Sequence, residues 1–252
     1  MANLLQDLFN IVDTIFVGRL GEEQLAALTT SGVMMGLVMV VMIGISTGTI
    51  ALIARHVGSR EMPKAENDVA QAFLLALIFT LIISPFFCLA TPTLFRVIGA
   101  ESAVVDYGER YMRIIGVGAF TITLSISLSA ALQGSGDAVT PMKVLLLSTI
   151  INIILDPLLI FGIYPFPEMG VAGSALATVI ARGVGLPFFF YALMRGRTIL
   201  HISWGRIRMD LRTMGSMLKI GIYSAIQALV RNISNFALYG LAFSFGTCTA
   251  AV

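Results

Sequence analysis

Long apolar runs separated by short polar turns make up most of the chain. The run from Leu25 to Ala54 contains no charged residue. As a helix, its thirty residues would be about 45 Å long, more than the ~30 Å hydrocarbon core of a bilayer, so we expect it to tilt or to project from the membrane. The pattern predicts five further spanning helices, at 69–95, 114–133, 144–161, 170–194 and 220–245.

The first twenty residues carry a polar face on an otherwise apolar segment. Their polar side chains recur at spacings of three and four, which places them on one side of a helix: Asn3, Gln6, Asp7, Asn10 and Asp13. A soluble amphipathic segment is the alternative. We favour a first membrane helix whose beginning is missing, because the following helices need a partner for this face. A signal peptide is not expected, since the segment lacks a basic start and a small-residue cleavage site.

Composition agrees with this pattern. Hydrophobic residues make up 57% of the 252 residues, charged residues only 12%, and the mean hydropathy is +0.92. A soluble domain has about 25% charged residues, so the chain is predicted to be an integral membrane protein. Cys88 and Cys248 lie in apolar runs and are interpreted as small buried hydrophobic residues rather than as a disulfide or a metal site.

The basic residues predict the orientation. If the first helix runs outward, ten basic residues fall in the loops on the inner side and four in those on the outer side. The excess favours a cytoplasmic location for the inner loops. The inner set is Arg55, Arg60, Lys64, Lys143, Arg195, Arg197, Arg206, Arg208, Arg212 and Lys219, and the outer set is Arg19, Arg96, Arg110 and Arg113.

An acid in the fifth apolar run is the most informative single residue. Asp156 is followed directly by Pro157 in the segment STIINIILDPLLIFG, residues 148–162. A charged side chain at the centre of a bilayer costs roughly 2.5–3.5 kcal/mol on insertion scales, so its presence indicates function. Asn152 precedes Asp156 by four residues and therefore shares its helix face. We predict that the helices surround this polar stripe.

Two glycine motifs inside the second apolar run concern packing. Gly32–Gly36 and Gly44–Gly48 form GxxxG pairs, which allow helix backbones to approach closely.

Arg182 lies inside the sixth run, where it either pairs with a carboxylate within the bundle or extends to the nearer membrane surface. The sequence identifies no partner for it, so extension to the surface is favoured.

A weak internal repeat suggests two related halves. A shift of 225 positions superimposes four pairs of identical residues, among them Asn10 on Asn235 and Gly21 on Gly246. We therefore predict a six-helix lobe at 1–195, a cytoplasmic amphipathic linker at 196–213, and the start of a second lobe at 214–252. The chain is expected to be truncated at both ends. The predicted linker helix rests on apolar residues at helical spacing, namely Leu200, Trp204, Ile207 and Leu211.

Several segments resemble the multidrug and toxic compound extrusion (MATE) family of ion-coupled exporters. They are NIVDTIFVGRLG at 10–21, ARHVGSREMPKA at 54–65, LQGSGDAVTP at 132–141, and NIILDPLLIFG at 152–162 followed by MGVAGSALAT at 169–178. The resemblance implies an all-α polytopic membrane protein: one six-helix lobe of a twelve-helix, two-lobed transporter, plus a seventh helix. It also implies a place in the bacterial inner membrane and a second lobe as partner.

The resemblance further implies a cation site in the first lobe. Its acid on the first helix matches Asp13, and its pair on the fifth helix matches Asn152 and Asp156. Ser174 stands where the family commonly has threonine, and Tyr111 matches a tyrosine near the site. The expected activity is exchange of H⁺ or Na⁺ for cationic or amphipathic organic compounds, with no other cofactor and no nucleic acid as partner.

The chemistry of these residues leaves the ion open. Two carboxyl groups in a low-dielectric site repel each other, so one is expected to hold a proton near neutral pH. Alternatively, Na⁺ would be bound by the hard oxygen ligands of Asp13, Asn152, Asp156 and Ser174. Binding must favour one conformation over the other for coupling to result. We expect cation binding to repack the first helix and expel the substrate.

Three other functions are alternatives to the transport of drugs. A flippase for lipid-linked sugars would have the same helices, with a denser set of cationic residues lining its cavity. A membrane-embedded enzyme is disfavoured because the sequence contains no HExxH motif, no paired catalytic aspartate motif and no Ser/Lys dyad. The chain is predicted not to be an enzyme because of this lack of catalytic motifs. A scaffold without transport would not explain acidic groups at bilayer depth.

Overall fold

A computed structural model describes residues 11–194 and 209–244. Every regular element in these ranges is an α-helix: α1 (residues 11–18), α2 (Glu22–Gly58), α3 (Met62–Val97), α4 (Ser102–Gly134), α5 (Val139–Ile160), α6 (Val171–Met194) and α7 (Leu211–Ser244). Helices α2 to α6 are long and apolar enough to cross a membrane, which confirms the predicted class. The polar residues before Ile11, one residue of each identical pair in the repeat, and most of the linker lie outside the described residues.

Most of the helices are longer than the apolar runs that predicted them. Helix α4 begins at Ser102 rather than at Ile114, so the charged stretch before the fourth run is helical. There Arg110 pairs with Asp106 at 2.8 Å, and Arg113 pairs with Glu109, each four residues apart. Such pairs stabilise a helix outside the bilayer, which hydropathy does not register. Helix α2 has 37 residues and is also longer than its apolar run.

Helix α4 is the central element of the described bundle. It lies against α2, α3 and α6, while α5 packs on α6 and α7 on α2. Phe95 of α3 packs with Met112 and Ile115 of α4 in the largest core cluster. Close approach depends on small residues: a Cβ atom at Gly118 would lie 2.2 Å from Cγ2 of Val179 on α6. Helix α4 thereby fixes the positions of its neighbours.

The two GxxxG pairs of α2 have different surroundings. A Cβ atom at Gly44 would lie 2.9 Å from the carbonyl oxygen of Gly221, and one at Gly48 would lie 2.1 Å from that of Met217. This pair packs on α7, as predicted. Gly32 and Gly36 have no described atom within 4 Å of such a Cβ position. Their predicted role in helix packing is therefore wrong for the described part of the chain, where they line a cavity instead.

Polar contacts join α2, α3 and α7 at the end of the bundle that we assign to the cytoplasm. Nδ1 of His56 and Oδ2 of Asp68 are 2.5 Å apart. The amide N–H of Asp210 donates to Oε1 of Gln71 at 2.9 Å. Asp68 and Gln71 are both buried. These contacts hold the start of α7 against the first six helices.

Candidate cation site and outer cavity

Four side chains from three helices meet in the interior. Asp13 on α1 lies beside Asp156, Asn152 and Ser174, and all four are buried. Nδ2 of Asn152 donates to Oδ1 of Asp156 at 3.2 Å, within α5. The spacing of four residues along α5 predicts the contact between Asn152 and Asp156. Asp13 and Ser174 come close to this pair only because α1 and α6 pack against α5 at this point.

Each of these side chains has an oxygen without a partner. Oδ1 of Asp13, Oδ1 of Asn152, Oδ2 of Asp156 and Oγ of Ser174 are buried and accept no hydrogen bond within the described part of the chain. A buried polar atom without a partner costs about 1–3 kcal/mol. Two carboxylates, an amide oxygen and a hydroxyl form a hard oxygen set. The arrangement therefore fits a shared proton or a small hard cation such as Na⁺.

Local backbone features bring α5 and α6 together at this point. A Cβ atom at Gly173 would lie 2.6 Å from the carbonyl of Leu159, so only glycine allows the start of α6 to lie on the backbone of α5. This contact places Ser174 next to the α5 pair. The N–H of Val171 donates to Oε1 of Gln24 at 2.9 Å, which attaches the same end of α6 to α2. Pro157 has no N–H group to donate within α5.

Tyr111 lies close to the four oxygens but is not one of them. It is a buried residue of α4 that interacts electrostatically with Asp13 and Asp156. It lines the same cavity as Asp13. All five predicted site residues are thus in one region, and Tyr111 lies at its edge.

The position of Arg182 differs from the favoured prediction. Its side chain lines the cavity beside Asp13 and interacts electrostatically with that carboxyl group. Its backbone carbonyl accepts a hydrogen bond from Oγ of Ser125 at 3.2 Å. Extension to the membrane surface is therefore wrong. The spacing of Ser174, Thr178 and Arg182 by four residues places them on one face of α6, and this signal was available in the sequence.

An outer cavity of about 550 Å³ lies beside the oxygens. Asp13, Tyr111, Arg182 and three threonines supply its polar groups, and Met35 and Met39 of α2 belong to its apolar wall. Few polar groups in a mainly apolar concavity are typical of sites for organic ligands, and methionine adapts to different shapes. Because Asp13 belongs to both the oxygen cluster and the cavity, a ligand here would be in direct contact with the candidate cation site.

Comparisons with known proteins match the chain to one family. The MatE family profile matches residues 1–158. The chain is 30% identical to the FAD transporter of Shewanella oneidensis over 92% of its own length and 52% of that protein. It is 31% identical to the probable multidrug resistance protein NorM of Thermotoga maritima, over 90% of its own length and 49% of that protein. The chain spans about half the length of the curated relatives it matches.

Solved structures cover nearly the whole chain. A multidrug resistance MATE family transporter of the MOP superfamily in an outward-facing conformation matches with a TM-score of 0.86 and 30% identity, over 97% of this chain and 54% of the other. An inward-facing conformation of such a transporter matches with a TM-score of 0.81 and 31% identity, over 97% and 55%. The same lobe thus resembles both conformations.

Proposed function

Because the chain belongs to the MatE family, we propose that it is the N-terminal lobe of a secondary efflux transporter that exchanges H⁺ or Na⁺ for organic compounds. The chain itself is a multi-pass inner-membrane protein, and its described residues include five apolar helices able to span the bilayer. The observation that carries the proposal is a cluster of four buried oxygens on α1, α5 and α6 that have no hydrogen-bond partner among the described residues. Such a cluster is costly unless a proton or cation occupies it.

The cation would act by holding α1 against the rest of the lobe. Asp13 on α1 and Asp156 on α5 carry like charges when both are ionised, and the repulsion is strong in a low-dielectric interior. A bound proton or Na⁺ removes this repulsion and favours the conformation in which α1 packs here. When the ion leaves, α1 is released. Coupling requires such a difference in ion affinity between two conformations.

The substrate would bind in the outer cavity. Its wall includes Asp13, so any movement of α1 changes its shape and charge together. We propose amphipathic, often cationic, organic molecules as substrates, in keeping with the names of several relatives as multidrug resistance proteins. A flippase for lipid-linked sugars is the alternative. Among the described lining residues of this cavity Arg182 is the one basic side chain, which gives the flippase no specific support.

The second lobe of the full-length transporter is the proposed partner. Gly32 and Gly36 face open space in the outer cavity, and α7 already packs on α2. A second lobe attached through α7 would close the cavity from the opposite side. Alternating access would then follow from movement of one lobe against the other, in line with the likeness of this chain to both outward- and inward-facing structures.

Transport by the full-length protein in lipid vesicles tests the proposal. Efflux of the cationic dye ethidium would be followed by fluorescence under an imposed proton gradient or an imposed sodium gradient. We expect one of the two gradients to drive efflux, and Asp13→Asn and Asp156→Asn each to abolish it. The matched control is Asp106→Asn, because Asp106 is an exposed acid on α4. Efflux that persists in both Asp13→Asn and Asp156→Asn would refute the coupling role.

A further inference from the structure

The side chain of Thr178 on α6 holds a further buried oxygen beside the candidate cation site. Its Oγ1 atom has no hydrogen-bond partner among the described residues. Thr178 follows Ser174 by four residues, so the two side chains lie on one face of α6 with their Cβ atoms about 5–6 Å apart. The hydroxyl of Thr178 is therefore one helical turn away from a member of the oxygen cluster.

A hydroxyl without a partner is unusual for a threonine in this bundle. Within a helix, a threonine hydroxyl can donate to the carbonyl oxygen three or four residues earlier. Such bonds are present at Thr29, Thr47, Thr49, Thr80, Thr91, Thr121, Thr123 and Thr149. Thr178 makes no such bond to any described carbonyl, although its oxygen is buried. Because a buried hydroxyl without a partner is costly, this one is suited to a ligand from outside the chain.

Thr178 also lines the outer cavity. Several described residues have a buried oxygen without a partner, and of these only Asp13 and Thr178 line this cavity. Asn152, Asp156 and Ser174 do not line it, so an ion passing from the cavity to their oxygens would pass Asp13 and Thr178. We call Asp13 and Thr178 the mouth of the cation site.

Contacts between α4 and α6 fix one side of the mouth. Oγ1 of Thr121 donates to the carbonyl oxygen of Val179 at 3.3 Å. The side chain of Val179 fills the space that a Cβ atom at Gly118 would need, so α6 lies directly on the backbone of α4 here. Thr178 is adjacent to Val179 and shares this fixed backbone. The other side of the mouth, Asp13, lies on α1, the helix that the cation is proposed to hold.

The charges around the mouth direct a cation inward. The ionisable groups of this region are Asp13, Asp156, Tyr111 and Arg182. Arg182 lies one turn beyond Thr178 on α6 and interacts electrostatically with Asp13. Because a guanidinium group repels a cation, the favourable positions for an ion lie on the Ser174 side of Thr178. A path from the mouth therefore leads to the oxygen cluster and not further along α6.

We propose that the hydroxyl of Thr178 is a fifth oxygen ligand of the cation site, and that it binds the ion at the mouth together with Asp13 as the ion enters from the outer cavity. A hydroxyl oxygen is a hard ligand for Na⁺ and accepts a hydrogen bond from a hydrated proton. This inference rests on the proposed function for the role of the ion in transport. The binding of the ion can be measured without transport.

Ion-dependent stabilisation of the full-length transporter measures this binding. The midpoint of thermal unfolding in dodecyl maltoside micelles would be followed in two titrations. One varies Na⁺ at a fixed alkaline pH, with choline replacing Na⁺ at constant ionic strength, and the other varies the pH without Na⁺. An ion that binds the folded state raises the midpoint. The part of the rise that Asp13→Asn removes belongs to the cation site, and its half-saturating ion concentration is the quantity compared.

Removal of the Thr178 hydroxyl should weaken ion binding. We expect Thr178→Val, which keeps the shape of the side chain, to raise the half-saturating concentration about 3- to 10-fold, as for the loss of one hydrogen bond. Thr178→Ala removes the same hydroxyl without any risk of overpacking and should have a similar effect. Thr178→Ser keeps the hydroxyl and should stay within about two-fold of the parent value.

The matched control is Thr29→Val. Thr29 lines the same cavity, but its hydroxyl donates to the carbonyl oxygens of Leu25 and Ala26, so the half-saturating ion concentration should not change. In ethidium efflux driven by the same ion, Thr178→Val should raise the half-saturating ion concentration and retain the maximal rate at saturation. A purely structural role would lower the maximal rate instead.

Three results would overturn the inference. The first is an unchanged half-saturating concentration in both Thr178→Val and Thr178→Ala. The second is an equal loss of affinity in Thr178→Ser or in Thr29→Val, which would assign the effect to packing or to the cavity wall. The third is the absence of any stabilisation that depends on Asp13.

The same variants separate this inference from the proposed function. If ion binding depends on Thr178 while ethidium efflux persists in Asp13→Asn and Asp156→Asn, only the proposed ion coupling is refuted. If those two variants abolish efflux while Thr178→Val binds the ion like the parent, only the role of Thr178 is refuted.

Discussion

Replacing Gly48 by alanine tests the contact between α2 and α7. The added Cβ atom would lie 2.1 Å from the carbonyl oxygen of Met217 and 2.8 Å from its carbonyl carbon. Carbon and oxygen atoms ordinarily approach to about 3.3 Å. The obstructing atoms belong to the backbone of α7, so a side-chain rotation cannot relieve the clash. The two helices must therefore move apart by about 1 Å at this point.

The size of the effect follows from two opposing contributions. Overpacking in a well-packed interior costs about 1–3 kcal/mol, and a rigid backbone neighbour places Gly48→Ala at the upper end. Alanine stabilises a helix interior by up to about 1 kcal/mol relative to glycine. We expect a net loss of about 2 kcal/mol in the free energy of unfolding. Gly36→Ala on the same helix meets no described atom within 4 Å, so it should be neutral or slightly stabilising.

The assay is unfolding of the purified full-length transporter in mixed detergent micelles titrated with dodecyl sulfate. The free energy of unfolding would be compared for the parent, Gly48→Ala and Gly36→Ala. The two variants share the chemical change and the helix, so helix propensity cancels between them. Equal stability of the two variants would refute the backbone contact between α2 and α7. A loss in Gly36→Ala alone would mean that the other half of the transporter packs on that glycine pair instead.

Two further predictions concern charged groups outside the membrane core. Oδ1 of Asp137 accepts hydrogen bonds from the N–H groups of Val139 and Thr140 at 3.1 and 2.9 Å. Burial raises the pKa of Asp137, but the hydrogen bonds outweigh the effect of burial and hold the pKa below its ordinary value of 3.8. Asp137→Ala should lower the free energy of unfolding by about 1 kcal/mol, measured by the same titration. This loss of stability relative to the parent should be complete above about pH 4 and should vanish as the pH falls through the lowered pKa. A loss that grows on acidification would contradict the capping role. Asp68→Ala leaves Nδ1 of His56 without its partner and should cost about 1–3 kcal/mol, while addition of His56→Ala should cost less than the sum of the single changes in a double-mutant cycle.

Local spacing explains the part of the candidate site that could be predicted from the residues alone. Asn152 and Asp156 are four residues apart, and a helix brings such residues together wherever it lies. Their hydrogen bond is present in the structure. Asp13 was placed in the site only by resemblance to a family, because no spacing rule connects residues on two separate helices. The roles of these residues in ion coupling remain predictions.

The errors have two causes. Hydropathy places the start of the fourth helix at Ile114, although ion pairs extend α4 back to Ser102. The two glycine pairs of α2 are alike as motifs, yet only the pair at Gly44 and Gly48 has a helix packed on it. Arg182 was directed to the membrane surface because its neighbours on other helices were unknown. The first error is local, because hydropathy does not register ion pairs between residues four apart. The other two concern surroundings that lie far away in the sequence.

The sequence by itself determined that this protein is a bundle of membrane helices, because the length of an apolar run and the cost of a charge in lipid are local properties. It also determined which residues share a helix face. Only the tertiary structure decided that Arg182 lies in the cavity beside Asp13, and that four buried oxygens meet with no hydrogen-bond partner among the described residues. Those facts depend on which helix surfaces pack together, and packing is a property of pairs of surfaces that no single segment contains.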